Sequence, residues 1–164
     1  MINKFHKSVL IVLAVVLIVS LHSCNPAAKY EKSERESIDK FLHSNDTINF
    51  DLKPSGLYFH EQLAGTGRTP QVNDTAYVVY TGKFLDGTVF DTNIGGKLYE
   101  FPVGVGYSIA GFDEGVTYMK EGGKALLLMP SKLAYGTQGS YSIPGYTAIQ
   151  FQVQLVKVVP GPGK

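Results

Sequence analysis

Val78-Val79-Tyr80-Thr81-Gly82-Lys83-Phe84-Leu85-Asp86-Gly87-Thr88-Val89-Phe90-Asp91 is the stretch around which the rest of this chain arranges itself. It reads as a β-hairpin. Upstream, Ala76, Val78 and Tyr80 alternate with Thr75, Tyr77 and Val79, the period-2 pattern of a half-buried strand. Asp86-Gly87 is a strong turn signal, and a two-residue type I′ turn is expected there, with positive φ at both residues. The return strand carries Val89 and Phe90 and ends at Asp91. Tyr80 and Phe90 are thus expected on paired strands, with a carboxylate beside the second ring.

Outward from the hairpin the chain alternates short strands and turns. Leu57–Leu63 is a strand candidate after the Pro54-Ser55-Gly56 turn, and Gly65–Pro70 is a loop. Gly65 and Gly67 do not open a dinucleotide fingerprint, because Pro70 stands where the third glycine belongs. After the hairpin, Asn93–Lys97 is a Gly-rich loop. Leu98–Val103 reads as a short strand, placed at an edge by Pro102. Ile109, Phe112, Val116 and Met119 recur at helical spacing and Gly122-Gly123 stops the helix. A lone helix among strands must bury that face against a sheet. Lys124–Met129 is an apolar strand ended by Pro130. In the last strand Ile149, Phe151, Val153 and Leu155 alternate with Gln150, Gln152 and Gln154, which predicts a sheet with one wet face.

Composition agrees with one globular domain carrying appendages. Of 164 residues, 44% are hydrophobic and 18% charged, which excludes a disordered chain. Ten Tyr, nine Phe and eighteen Gly favour strands and tight turns over a helical bundle. The net charge is +1, and without Lys4 and Lys7 the rest carries 13 basic against 14 acidic side chains. This is not the basic footprint of a nucleic-acid binder.

The first 23 residues read as an export signal. Lys4, His6 and Lys7 precede an apolar run from Val9 to Val19, too short for a membrane span but suited to a secretory core. Leu21-His22-Ser23-Cys24 then resembles a bacterial lipobox, whose cysteine is acylated and becomes the mature N-terminus. His22 departs from the small residue usual there. Cys24 is the only cysteine, so no intrachain disulfide can form. The expectation is an exported chain, lipid-anchored at Cys24 to a bacterial membrane and facing the periplasm. Residues 24–49 read as a polar spacer. Within it Tyr30, Glu34, Ile38, Phe41 and Leu42 share one helical face, predicting a short helix over 33–43. Asp46-Thr47-Ile48 and Asp74-Thr75-Ala76 resemble O-glycosylation acceptors.

The hairpin resembles the VHYTG-x-x-x-DG-x-x-FD core of the FKBP-type peptidyl-prolyl isomerases. Four further segments match that family in order: Phe101-Pro102-Val103-Gly104, Ile109-Ala110-Gly111-Phe112-Asp113-Glu114-Gly115, Ala134-Tyr135-Gly136, and Ile143-Pro144 leading to the strand with Phe151. The resemblance covers residues 50–158, leaving 159–164 as a flexible tail. It implies an α+β fold, an antiparallel sheet of five or six strands half-wrapped around one short helix. It also implies a pocket walled by Tyr80, Phe90, Tyr99, Ile109, Ile143 and Phe151, floored by Phe112, with Asp91 and Tyr135 as polar contributors. Tyr80, Asp91, Ile109 and Tyr135 are the catalytic candidates. The others would bind substrate.

The implied activity is cis-trans isomerisation of X-Pro bonds in exported proteins, with no cofactor and no metal. Proline-containing segments are the implied partners, and a macrolide is an implied ligand. Two departures bear on macrolide binding: the floor is Phe112 rather than the Trp frequent in the family, and the shortened 93–97 loop offers only Lys97 as a basic partner for Asp91. A non-catalytic peptide-binding or assembly-accessory lipoprotein using the same pocket is the alternative. Other chemistries are poorly supplied, since beyond the signal the chain has only His43 and His60 besides Cys24. Asp113 and Glu114 occupy adjacent helix positions and diverge.

Overall fold

The computed structural model describes residues 26–162. The expected export signal, lipobox and acylated Cys24 lie outside the described residues. By its internal contacts the chain divides into two units, Met1–Lys32 and Ser33–Lys164. In chain order the elements are α1 (Pro26–Ser44), β1 (Asp51–Leu52), β2 (Tyr58–Leu63), β3 (Thr75–Phe84), β4 (Val89–Thr92), β5 (Tyr99–Pro102), α2 (Ala110–Thr117), β6 (Lys124–Met129), a 3₁₀ turn (Ser131–Leu133) and β7 (Ile149–Val159). All strand pairs are antiparallel, in the order β1-β2-β6-β7-β3-β4, with β5 pairing β3. The sheet therefore has seven strands, counting the two-residue β1 at its edge.

The long β3–β7 pairing is the spine, running from Thr75 opposite Val159 to Phe84 opposite Ile149. Its inward residues, among them Ala76, Val78, Ile149, Phe151, Val153 and Leu155, face the core against α2. The helix supplies Phe112 and Val116, and Met119 follows just after it. Gly115 allows the close approach: a Cβ there would lie 2.6 Å from Leu127 Cδ1. Helix α2 is shorter than its apolar spacing implies, because Tyr118 already caps it ahead of Gly122, whose φ is 88°.

The hairpin differs from expectation at its tip. Gly87 has φ 92° but Asp86 is not left-handed, so the turn is not type I′. Instead the Gly87 N–H donates to Phe84 O at 3.0 Å and the Phe84 N–H to Thr88 O at 2.9 Å, a three-residue loop with glycine in the left-handed position. The Asp86 side chain decides it by accepting the Thr88 N–H at 2.8 Å, a local bond that suits right-handed backbone. The extra residue re-emerges as a register shift between Gly82 and Lys83 against β4.

The outer face of the sheet is only partly wet. Gln152 is exposed as predicted, but Gln150 is buried and donates to Phe84 O at 3.3 Å. The β6 partner of Gln150, Leu128, packs under α1. From Ser33 onward it lays Ile38, Phe41 and Leu42 against Leu128, Ala148, Tyr58, Phe50 and Leu85, a second apolar cluster. That explains why β6 is apolar on both faces, with Leu127 in the main core and Leu128 under the helix. The helix begins at Pro26 rather than 33. Proline is tolerated in a first turn, and the Ala, Lys, Glu and Arg of the charged run are strong helix formers. Among the described residues no helix is long and apolar enough to cross a membrane.

Asp74, singled out beside Thr75, has a structural task. Its buried carboxylate accepts from Arg68 Nη2 at 2.8 Å, the Gln71 N–H at 2.9 Å and the Gly161 N–H at 3.0 Å. It ties the loop before β3 to the end of β7.

Candidate functional site

At the centre of β3, Tyr80 carries its side chain to the core face and meets three other rings edge-on. The centroids of Tyr99, Phe112 and Phe151 each lie 5.8 Å from it. Phe112 and Phe151 stand 5.2 Å apart at 80°. Edge-to-face packing of this kind fixes ring orientation beyond what area burial would do. The four rings come from β3, β5, α2 and β7, and they meet where the core face of the sheet packs against the helix.

These rings open into a pocket of about 200 Å³ lined by Tyr80, Asp91, Tyr99, Ser108, Ile109, Phe112, Tyr135 and Phe151. Seven of the nine residues expected in the site from sequence line it. The other two do not. Phe90 packs on Phe151 at 5.6 Å and on Phe84 at 5.2 Å, buttressing a wall. Ile143 is buried in the main core. A larger cleft of about 450 Å³ lies by the outer cluster, lined by α1, the hairpin tip and the 142–148 loop. It holds none of the four clustered rings.

The polar groups of the pocket fall into two sets. In the first, the Tyr80 hydroxyl donates to Asp91 Oδ2 at 2.7 Å. Burial, then this bond and the neighbouring carboxylate, push the Tyr80 phenol well above its ordinary value. Asp91 is exposed, and among the described residues no Lys or Arg pairs with it. Lys97 is not its partner and instead offers its backbone carbonyl to Asn93. In the second set are two donors with nothing to donate to. Among the described residues neither the Ile109 N–H nor the Tyr135 hydroxyl makes a hydrogen bond within the chain. Ile109 precedes the first turn of α2, where backbone N–H groups are unsatisfied by the helix itself. Burial and Asp91 raise the Tyr135 phenol as well, so it stays a protonated donor.

Three supporting residues were not foreseen. Asn93 accepts the Tyr80 N–H at 2.7 Å and donates to Val78 O at 3.0 Å and Lys97 O at 3.1 Å, bridging β3 to the loop before β5. The signal was an Asn opening a Gly-rich loop, a residue type that satisfies stray backbone groups. Ser108 lines the pocket and is marked in sequence only by standing next to Ile109. Asp113, buried, accepts the Gly104 N–H at 2.6 Å and the Gly106 N–H at 2.9 Å, fastening the loop that delivers Ser108 and Ile109. Its neighbour Glu114 points elsewhere, accepting from Ser55 and Tyr118 at 2.9 Å each. Among the described residues no group of three His, Cys, Asp or Glu gathers to hold a metal.

A ring-lined pocket with two unspent donors needs no nucleophile to act on a planar amide. Comparison with known proteins points the same way. A family model described as FKBP-type peptidyl-prolyl cis-trans isomerase matches residues 66–156. The FKBP-type 22 kDa peptidyl-prolyl cis-trans isomerase of Escherichia coli (strain K12) is 43% identical over 108 residues, 64% of this chain and 51% of that protein. The crystal structure of FkpA from Escherichia coli matches at TM-score 0.69 and 28% identity, over 98% of this chain and 74% of that one. AtFKBP13 matches at TM-score 0.62 and 33% identity, over 66% of this chain and 98% of its own. The chain spans about half or less of the length of the curated relatives it matches. With the pocket, the half-wrapped sheet and the matched motifs in agreement, the chain belongs to the family of FKBP-type peptidyl-prolyl cis-trans isomerases.

Proposed function

We propose that this protein catalyses cis-trans isomerisation of X-Pro bonds in the pocket bounded by Tyr80, Asp91, Tyr99, Ile109, Phe112, Tyr135 and Phe151. The observation that carries the reading is the pair of free donors, Ile109 N–H and Tyr135 O–H, belonging to residues of one aromatic pocket. Rotation about a peptide C–N bond faces a barrier of about 18–20 kcal/mol from amide resonance, so uncatalysed X-Pro isomerisation takes tens to hundreds of seconds. The planar amide is more dipolar than the twisted one and is better solvated by water. Moving it among Tyr99, Phe112 and Phe151 removes that advantage of the ground state. The two donors then hold the carbonyl as it rotates, a preorganised electrostatic contribution. Phe90 supports the Phe151 wall from behind, and Tyr80 holds Asp91 rather than donating to substrate.

The setting is also our proposal. Residues 1–23 act as an export signal, Cys24 carries the lipid anchor, and residues 24–49 connect the anchor to an isomerase domain over residues 50–158. The Val9–Val19 run and the Leu21–Cys24 motif support this. Clients would then be proline-containing segments of exported proteins on the periplasmic side. A macrolide would share the pocket but bind weakly, because Phe112 offers a smaller floor than Trp and Asp91 lacks a cationic partner.

The test is the isomerisation rate of a short X-Pro peptide with the chain and its Tyr135→Phe and Phe112→Ala variants. Acceleration by the parent is expected, reduced about 2- to 13-fold in Tyr135→Phe, as loss of one neutral hydrogen bond of about 0.5–1.5 kcal/mol implies. Equal, negligible rates in all three folded proteins would reject catalysis and leave a peptide-binding module.

A further inference from the structure

We propose that Glu34, on the helix that precedes the isomerase domain, is a positioning residue for the Tyr135 loop. This rests on the reading of Tyr135 as a donor in the pocket.

The bond in question joins residues 97 positions apart. Glu34 Oε1 accepts the Ser131 N–H at 2.5 Å and Oε2 accepts the Ser131 hydroxyl at 3.0 Å. Ser131 is buried and opens the 3₁₀ turn Ser131–Leu133. The residue before it is Pro130, which has no side-chain acceptor to cap the turn. Without Glu34 the buried N–H and hydroxyl at the start of the turn would have no partner, and unmet buried donors are costly. A carboxylate from another element supplies what the local sequence lacks.

The same serine fixes the residues on either side of Tyr135. Its carbonyl accepts the Ala134 N–H and the Gly136 N–H, each at 2.8 Å. Tyr135 is therefore bracketed by two bonds to one carbonyl, and that carbonyl belongs to the residue Glu34 clamps through N–H and hydroxyl. Freed from Glu34, Ser131 can shift, and the bracket moves with it. A displacement of the Tyr135 hydroxyl of about 1 Å is enough to impair a donor that must meet a rotating carbonyl.

Glu34 is held in place by its own helix. It lies one turn before Ile38, on the face that packs Ile38, Phe41 and Leu42 onto the sheet. The helical stripe noted in sequence as Tyr30, Glu34, Ile38, Phe41 and Leu42 contains an acidic residue that an apolar face alone does not explain. Its place opposite Ser131 explains it. The segment between the anchor and the domain thereby becomes part of the site's support.

The experiment uses the full chain in mild detergent, with Glu34→Ala, Glu34→Gln and Ile38→Ala. Three quantities are read: kcat/KM on an X-Pro peptide, unfolding midpoint, and amide hydrogen exchange at Ala134 and Gly136. Ile38→Ala controls for loosening of the helix without touching Ser131. We expect Glu34→Ala to lower kcat/KM about fivefold or more and to speed exchange at Ala134 and Gly136 about tenfold. Glu34→Gln, which keeps one acceptor and adds a donor for the Ser131 hydroxyl, should recover most of both. Ile38→Ala should lower the midpoint while leaving kcat/KM within about twofold. An active parent with an equally active Glu34→Ala and unchanged exchange at Ala134 and Gly136 overturns this proposal alone. A drop in kcat/KM that tracks the midpoint equally in Glu34→Ala and Ile38→Ala also overturns it. A folded parent without activity overturns the isomerase reading, and this proposal with it.

Discussion

Gly82→Ala is the smallest change that should damage the pocket without replacing any residue that lines it. Gly82 sits on β3 with an unremarkable φ, so alanine meets no backbone strain there. The obstacle is space. A Cβ at this position would lie 2.6 and 2.7 Å from Phe90 Cε2 and Cζ and 2.8 Å from Phe151 Cε1. Ordinary carbon contacts fall near 3.5–4.0 Å, so both rings must yield by about 1 Å. Phe90 is half-buried and can swing outward. Phe151 is wedged among Tyr80, Phe112 and Phe90 and cannot move alone. Overpacking of this kind costs about 1–3 kcal/mol, while replacing glycine restricts the unfolded chain and returns about 0.4–1 kcal/mol. The steric cost wins, for a net loss of about 1–2 kcal/mol. With a urea slope of about 2 kcal/mol per molar, the midpoint should fall by about 0.5–1 M. Because Phe151 lines the pocket, kcat/KM should fall about tenfold even where the variant is fully folded. Adding Phe90→Ala removes the nearer clash, so the double variant should be more stable than the sum of the singles by about 1 kcal/mol. A Gly82→Ala protein within about 0.3 kcal/mol of the parent, additive with Phe90→Ala, would refute the packing argument.

Asp113→Ala should cost about 2–4 kcal/mol, since it strands the N–H groups of Gly104 and Gly106 that its buried carboxylate accepts, and it should raise KM by loosening Ser108 and Ile109. Chemical denaturation and steady-state kinetics read the two effects. Raised phenols at Tyr80 and Tyr135 mean that the native state keeps these protons longer than the unfolded chain does. Their contribution to stability is thus complete below the ordinary phenol value of 10.0 and is lost as the pH climbs from there towards the native values. A pH profile of kcat/KM should accordingly be flat from about pH 7 to about pH 9, where a fall within that window would mean that one phenol ionises early.

The elements that sequence predicted best are those whose pattern is local and repeated. β7 shows its alternation over seven residues, and α2 announces itself through Ile109, Phe112 and Val116. The pocket rings are another matter. Tyr80, Tyr99, Phe112 and Phe151 are separately indistinguishable from core aromatics, and only the order of the matched family motifs brought them together. What sequence missed depends on long-range register. Gln150 alternates like a wet-face residue, yet it is buried beside its β6 partner Leu128, which packs under α1, and the apolar stripe of that helix required a surface that no local pattern could name. The Asp-Gly dipeptide serves both two-residue and three-residue hairpin loops, and the Asp86 side-chain bond to Thr88 selects the latter. Lys97 was the nearest cation in sequence to Asp91, whereas the fold satisfies Asp91 with Tyr80, eleven residues earlier on the paired strand. The free state of the Ile109 N–H and the Tyr135 hydroxyl is a property of where every other acceptor ended up, and so belongs to the tertiary structure alone.

The claim that those two donors grasp the rotating amide is tested most directly by following the Ile109 amide in a ¹⁵N–¹H titration with an X-Pro peptide, alongside exchange between the cis and trans signals of the peptide itself. The account predicts that the Ile109 N–H moves downfield as it gains an acceptor, that Ser108, Phe112 and Tyr135 shift with it, and that cis and trans signals exchange far faster than in peptide alone. Rapid exchange with an unmoved Ile109 N–H, or perturbations gathered around Ser33, Leu85 and Thr147 instead, would contradict it.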